Sequence, residues 1–225
     1  MSVRTFIRDL QRIPEAIPTP GAIIYNAVPA KLLQVPERKL AEAIAGKLKG
    51  GTLIDLGAGT GYLSIEIAKR VPALNVYGID LSKEMVKIAR KHAEGVENVR
   101  FEIGNAADLP FEDGSIDFIV STGSLHHWKK PVKVFDECHR VLKAGKEVWI
   151  YDGCPDVPRD EADRLIKEYG SLRYRVLVNL CQLHGFIKQE YDSKIRDMLE
   201  QTKFKNSYQM EQVDIFMKIT VKKHP

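Results

Sequence analysis

From residue 52 onward the apolar spacing of this chain alternates between strand and helix periods, and that alternation limits the fold more than any other feature. "TLIDL" is a short apolar strand, "YLSIEIAKRV" has helical spacing, and "NVYGID" is a strand again. "SKEMVKIARKHAEG" reads as a helix with Ser82 as N-cap and Gly95 just past its end. "VRFEIGN" and "IDFIVST" follow as strands. "KPVKVFDECHRVLKAG" places Val132, Phe135, Cys138 and Leu142 on one helical face, stops near Gly145, and leads into the strand "EVWIYD". Strands alternating with helices of this length require crossover connections, hence a parallel sheet covered on both faces.

The flanks read differently. Five prolines between Pro14 and Pro36 forbid one continuous helix there, so we expect an irregular arm, with a helix beginning only at Pro36. From Pro155 to Thr202 the strand signal disappears and two or three helices are expected. "KNSYQMEQVDIFMKITVKK" returns to alternation, with a polar break near Glu211 and Gln212 that predicts a hairpin completing the sheet. The fold class is α/β, a doubly wound, mostly parallel sheet with a C-terminal antiparallel hairpin and a helical insertion before it. We divide a single domain into an arm (1–37), a ligand-binding core (38–151), a helical cover (152–202) and the hairpin (203–225).

The totals exclude several classes. A length of 225 residues suits one domain. A formal charge of +4 is too small to imply nucleic acid by itself. No apolar run spans a bilayer and the N-terminus lacks a secretory core, so we expect a cytoplasmic protein without a membrane partner. Cys138, Cys154 and Cys181 are odd in number and lack CxxC spacing, which argues against disulfides and structural zinc; we expect no metal.

The turn after the first strand, "GAGTGY", carries the chemistry. A dinucleotide turn needs G-x-G-x-x-G, but Tyr62 stands where its third glycine would be, and the P-loop ending is absent as well. Asp55 at the strand tip would repel phosphate and welcome an ammonium or sulfonium. Asp80, at the next strand tip, can accept from both hydroxyls of a ribose. A third tip carries "GNAADLPF". A nucleoside with a cationic amino-acid tail fits all three, and S-adenosylmethionine is such a molecule.

With "LIDLGAGTGYLSIEIA", "GIDLSKEMVKIARKHA", "NAADLPFEDGSIDFIVSTGSLHHW" and "VFDECHRVLKAGKEVWIYD" in order, residues 38–151 resemble the class I S-adenosylmethionine-dependent methyltransferases. The similarity is to the branch of the ubiquinone and menaquinone biosynthesis enzymes, of methyltransferase domain type 11. The resemblance implies a Rossmann-like core in which Asp55, Gly57, Ala58, Gly59 and Gly61 surround the methionyl part of the cofactor. It also implies that Asp80 holds the ribose with Leu81 beside the adenine, that Asn105 and Ala106 flank the base, and that Ser121 lies near the sulfonium. Asn105 departs from the aspartate usual in the family; its amide oxygen can still accept a bond from the adenine amino group.

Methyl transfer from a sulfonium is a displacement on an activated carbon, so positioning and water exclusion can carry most of the catalysis. His126 and His127 in "STGSLHHW" fall on the ligand edge of the sheet and are the candidate catalytic residues. As sequence neighbours they are expected to point apart, one serving as base or orienting the acceptor and the other capping a helix or packing on Trp128. Tyr25 in the arm either closes over the cofactor or pins the arm to the core. Cys154 and Cys181 could bind a soft acceptor such as arsenite, although such cysteines are usually small buried hydrophobes. Arg159, Arg164, Arg173 and Arg175 read as surface residues or as recognition of an acidic acceptor. The insertion is apolar enough to line a pocket, form core or make a homodimer interface. The expected function is methylation of a small molecule. The alternatives are an RNA or protein methyltransferase, disfavoured by "STGS" where an amino-group methyltransferase often carries "NPPY", or a non-catalytic S-adenosylmethionine-binding regulatory protein.

Overall fold

The computed structural model describes residues 29–225, with side chains from Leu32 onward. Tyr25 and most of the expected arm lie outside the described residues. The chain runs α1 (Pro29–Lys47), β1 (Gly51–Leu56), α2 (Tyr62–Arg70), β2 (Leu74–Asp80), α3 (Lys83–His92), β3 (Val99–Ile103) and β4 (Ile116–Thr122). A 3-10 turn (Leu125–His127), α4 (Pro131–Val141) and β5 (Leu142–Gly153) follow. Next come α5 (Arg159–Tyr169), α6 (Ser171–His184) and an unbroken helical segment from Lys188 to Leu199 with a π-helical middle (Tyr191–Ile195), then β6 (Tyr208–Val213) and β7 (Phe216–Lys222).

The seven strands lie in the order β3-β2-β1-β4-β5-β7-β6. The first five are parallel, and β7 joins β5 and β6 antiparallel. The chain leaves β1 toward β2 and β3, then returns to its other side with β4 and β5. This reversal opens a crevice at the tips of β1 and β4, where such sheets bind ligands. In register, Asp55 sits beside Val120 and Leu56 beside Ser121.

The period of two in the strands sorts their side chains between two buried layers. Leu53, Phe118, Val120 and Trp149 pack with Ile44 of α1 and Leu63 and Ile67 of α2. Ile54, Leu56, Ile119 and Ile150, with Ile219 of β7 on the same sheet, pack with Phe135 and Cys138 of α4. Phe135 is fully buried and meets Trp128 and Phe204 edge to face. Phe135→Ala should lower unfolding free energy by about 3–5 kcal/mol in urea titration, because the removed ring leaves a cavity its neighbours cannot fill.

The expected strands and helices are present, with three differences. The helix before β1 runs Pro29–Lys47 and continues through Pro36, which the sequence places at its start. The lost N–H bond is offset by tertiary contacts: Leu32, Leu33 and Val35 pack on a third buried group built from Leu165, Tyr169, Leu177, Cys181 and Ile215. Leu142 is buried as expected, but it opens β5 instead of closing the helical face. The hairpin turns at Asp214 and Ile215, not at Glu211 and Gln212, which pair within β6 and β7. Asp214 takes φ +53°, a conformation Asp tolerates better than most residues.

Side chains hold that turn firmly. Asp214 accepts from Tyr169 Oη at 2.8 Å and from Lys39 Nζ at 3.3 Å, and pairs with Arg164. Arg164 therefore serves structure, bonding Glu161 and Glu168 as well. One carboxylate thus ties α1, α5 and the hairpin together. Among the described residues no helix is long and apolar enough to cross a membrane.

Candidate functional site

The glycine turn after β1 hangs from the end of β2. Gly57 and Ala58 donate their N–H groups to Ile79 O at 2.8 and 3.2 Å, and Gly59 donates to Asp80 Oδ2 at 2.9 Å. The other oxygen of Asp80 accepts from Ser82 N at 2.8 Å. Ser82 caps α3, accepting from Met85 N as the sequence predicts. Asp80 therefore shapes the loop as well as offering its remaining lone pairs to the crevice.

Gly57 has φ +71°, and a Cβ there would lie 2.6 Å from Ser124 Cβ. The close approach seats the segment after β4 directly on the turn. Gly57→Ala should lower the melting temperature and abolish binding of the expected S-adenosylmethionine in calorimetry, since neither the backbone conformation nor the contact accommodates a methyl group. Gly61 packs toward Phe101 and Ala89, on the core side of the turn.

Asp55 is buried and accepts from Ser64 Oγ at 2.6 Å through Oδ2, while its Oδ1 has no hydrogen-bond partner among the described residues. Burial pushes its carboxyl up to about 7, against the Ser64 bond, and the charge of Asp80 adds to the rise. Glu37 of α1, which the sequence pattern presents as an ordinary polar helix position, is the residue sequence reasoning missed. Burial and then the Asp55 charge raise it to about 8. Desolvation likewise raises Asp80, partly opposed by the Ser82 and Gly59 N–H bonds. The charge of Asp80 thus bears on Asp55 and that of Asp55 on Glu37, and a cation placed among them would relieve both raised carboxyls.

Other expected contacts are already engaged. Ser121 Oγ donates to Leu56 O at 2.7 Å and lies 2.5 Å from Ser124 Oγ, joining the tips of β1 and β4. Asn105 Oδ1 accepts from Ala107 N at 2.9 Å, so its oxygen braces its own turn and keeps one lone pair for a ligand. Leu81 and Ala106 are half-buried. Ile103, paired in register with Asp80, is 50% exposed and offers an apolar surface there. As a strand residue it carried no signal of this in the sequence.

A cavity of about 270 Å³ opens between α1 and the β4 and β5 tips. Glu37, Leu40, Gly123, Tyr151 and Phe216 are among its lining residues, and Lys39 and Asp214 stand at its wall.

On the other side of β4, His126 Nδ1 lies 2.7 Å from Asp152 Oδ1, and its backbone N–H donates to Asp152 Oδ2 at 2.8 Å. Asp152 is fully buried at the end of β5. Burial opposes its charge, but the His126 ring and the Gly153 and His126 N–H groups hold its carboxyl below the usual range. The expectation that His126 and His127 point apart is corrected: their ring centroids are 4.1 Å apart. Asp152 grips both the ring and the backbone of His126 and holds that ring against its neighbour in the tight 3-10 turn. His184, from the end of α6, completes a group of three rings, 5.9 Å from His126 and 6.5 Å from His127. Trp128 packs on Phe135 instead.

The cysteines do not form a thiolate site. Cys138, Cys154 and Cys181 are free and buried, and desolvation raises all three thiols, Cys154 to about 11 and Cys181 to about 12.

A family profile described as a methyltransferase domain matches residues 47–197. Demethylmenaquinone methyltransferase of Staphylococcus aureus is 35% identical over 158 residues, covering 69% of this chain and 63% of that protein. Arsenite methyltransferase of Halobacterium salinarum is 33% identical over 120 residues, 52% of this chain and 31% of that one. Across such curated relatives the chain spans between 26% and 63% of their length. A crystal structure from Methanococcus maripaludis, of a protein proposed to be an S-adenosyl-L-methionine-dependent methyltransferase, is similar with a TM-score of 0.73 at 25% identity. That similarity covers 94% of this chain and 95% of that one. The acidic strand tips, the glycine turn and the β4 crevice all fall inside the matched span, and the chain belongs to this methyltransferase-domain family.

Proposed function

We propose that this protein transfers a methyl group from S-adenosylmethionine to a small-molecule acceptor. The observation that carries the reading is the buried Oδ1 of Asp55, without a hydrogen-bond partner among the described residues, coupled electrostatically to Glu37 and Asp80 and bordered by the glycine turn. A pyrophosphate would meet repulsion here; an ammonium and a sulfonium would neutralise the crevice. The donor supplies a methyl carbon already activated by sulfonium charge. In this reading Asp55 and Glu37 hold the cationic tail, with Gly57, Ala58, Gly59 and Gly61 shaping the space around it. Asp80 takes the ribose hydroxyls. Leu81, Ile103, Asn105 and Ala106 enclose the adenine, and Ser121 keeps the two strand tips together below the sulfonium.

The acceptor would enter between the α5–α6 cover and the loop after β4, with His126 and His127 facing it. A small acceptor is favoured by the named substrates of the relatives. Incubation of the full chain with methyl-labelled S-adenosylmethionine and a fractionated metabolite extract should give a labelled small-molecule product. Label appearing only in RNA or protein would replace the acceptor class, and no transfer despite binding would mark a cofactor-binding regulator.

A further inference from the structure

We propose that His126, His127 and His184 bind one divalent transition-metal cation of the Zn2+ or Co2+ type, leaving a coordination position for a hydroxyl or thiol of the acceptor. One ring nitrogen from each histidine lies within 4.8 Å of the others. Around a tetrahedral ion with bonds of about 2.0–2.1 Å, such nitrogens stand about 3.3 Å apart. The set therefore needs to close by about 1.5 Å at most, a change that rotation of the side chains supplies.

The chemistry of the donors selects the ion. Three imidazoles without a carboxylate in the inner set suit late first-row cations and not Mg2+ or Ca2+, which require oxygen. Asp152 supplies the outer contact that metal-binding histidines commonly have. Its bond to Nδ1 of His126 fixes the ring and leaves Nε2 as the ligating nitrogen. Its burial, its bond to the His126 backbone and its Gly153 N–H bond make it a rigid support.

The fold builds this cluster from three places. His126 and His127 follow β4, Asp152 ends β5, and His184 ends α6. The last is brought in by a very close crossing: a Cβ on Gly185 would lie 2.2 Å from Gly153 O, so only glycine lets the chain leave α6 over the β5 tip. Phe186 N and Tyr191 Oη then donate to that same carbonyl at 3.1 and 3.2 Å. Sequence spacing gives no metal signal here, because His184 lies in the insertion, far along the chain from the His126–His127 pair.

Three protein ligands leave a tetrahedral ion with an open position. The same loop seats Ser124 on Gly57, which puts the cluster next to the proposed cofactor turn. On that functional reading, the open position takes the acceptor through oxygen or sulfur, its proton passing to solvent on coordination.

The test is titration of the chelator-treated full chain with Co2+, followed by visible absorption and by calorimetry with Zn2+. We expect one equivalent bound and a d–d spectrum of low-symmetry, four- or five-coordinate Co2+. His184→Ala should lose the band, and Asp152→Asn should bind about tenfold to a hundredfold more weakly, both retaining the wild-type far-UV dichroism and S-adenosylmethionine affinity. His184→Gln, which keeps a polar side chain, guards against a folding defect and should also lose the band. An octahedral aquo-ion spectrum in the wild type, or equal binding by wild type and both His184 variants, would overturn the site. Metal binding without any S-adenosylmethionine binding would uphold the metal site while removing its link to methyl transfer.

Discussion

Asp55→Asn is expected to weaken S-adenosylmethionine binding by about tenfold to a hundredfold, the effect of losing one hydrogen bond to a charged group, while leaving the ligand-free protein as stable or more stable. The two effects have one origin. Asp55 is buried with its carboxyl raised to about 7, and Glu37 is raised to about 8. In the unfolded chain both return to the ordinary carboxylate range. A group raised on folding stabilises the folded state fully below its unfolded pKa and loses that contribution as pH climbs through its folded pKa. The ligand-free protein should therefore lose stability from about pH 4 to about pH 8 through these two residues. A cationic ligand restores it, because both carboxylates can then stay ionised. The ligand-induced rise in melting temperature should be larger near pH 8 than near pH 6, and cofactor affinity should increase between those values, by up to about tenfold per pH unit for each group that must ionise. Scanning calorimetry of wild type and Asp55→Asn checks both parts: the variant should show a weaker pH dependence and a smaller ligand effect. A pH-independent ligand effect in the wild type would contradict the assignment.

Asp80→Ala should lower cofactor affinity by about tenfold to a hundredfold by a different route. Its carboxylate is proposed to accept two ribose hydroxyls, and it already holds Gly59 N and Ser82 N. Removing it takes away the ribose contacts and unpins the glycine turn together. The variant should consequently melt lower than wild type even without ligand, unlike Asp55→Asn. Scanning calorimetry of the ligand-free proteins separates the two variants by this difference in stability, and titration calorimetry reads the affinity. An unchanged affinity for Asp80→Ala would refute the ribose role.

The strands, crossover helices and glycine turn were legible because their signals are local: period, a cap at Ser82, and glycines after "TLIDL". The start of α1 was not, since Pro36 breaks a local rule and only its packing against the α5–α6 group compensates. The hairpin turn was displaced for a related reason. Asp214 is chosen by Lys39, Arg164 and Tyr169, all distant in sequence.

The proposed site divides along the same line. Asp55, Gly57, Gly59 and Asp80 announce themselves by position at strand tips. Glu37 looks like any polar helix residue until α1 lies over β1, and Ile103 looks like a core strand residue until its side chain is found half-exposed. His126 and His127 were visible as candidates, but their partners were not. Asp152 belongs to the next strand and His184 to the cover, and the sequence holds no spacing that links them.

Selection of a positively charged methyl donor by anionic side chains is most directly tested by isothermal titration of the wild-type chain with S-adenosylmethionine and with NAD near pH 8. One tight site for S-adenosylmethionine and no measurable heat with NAD is the predicted result. Equal or tighter binding of NAD, or no binding of S-adenosylmethionine, would contradict it.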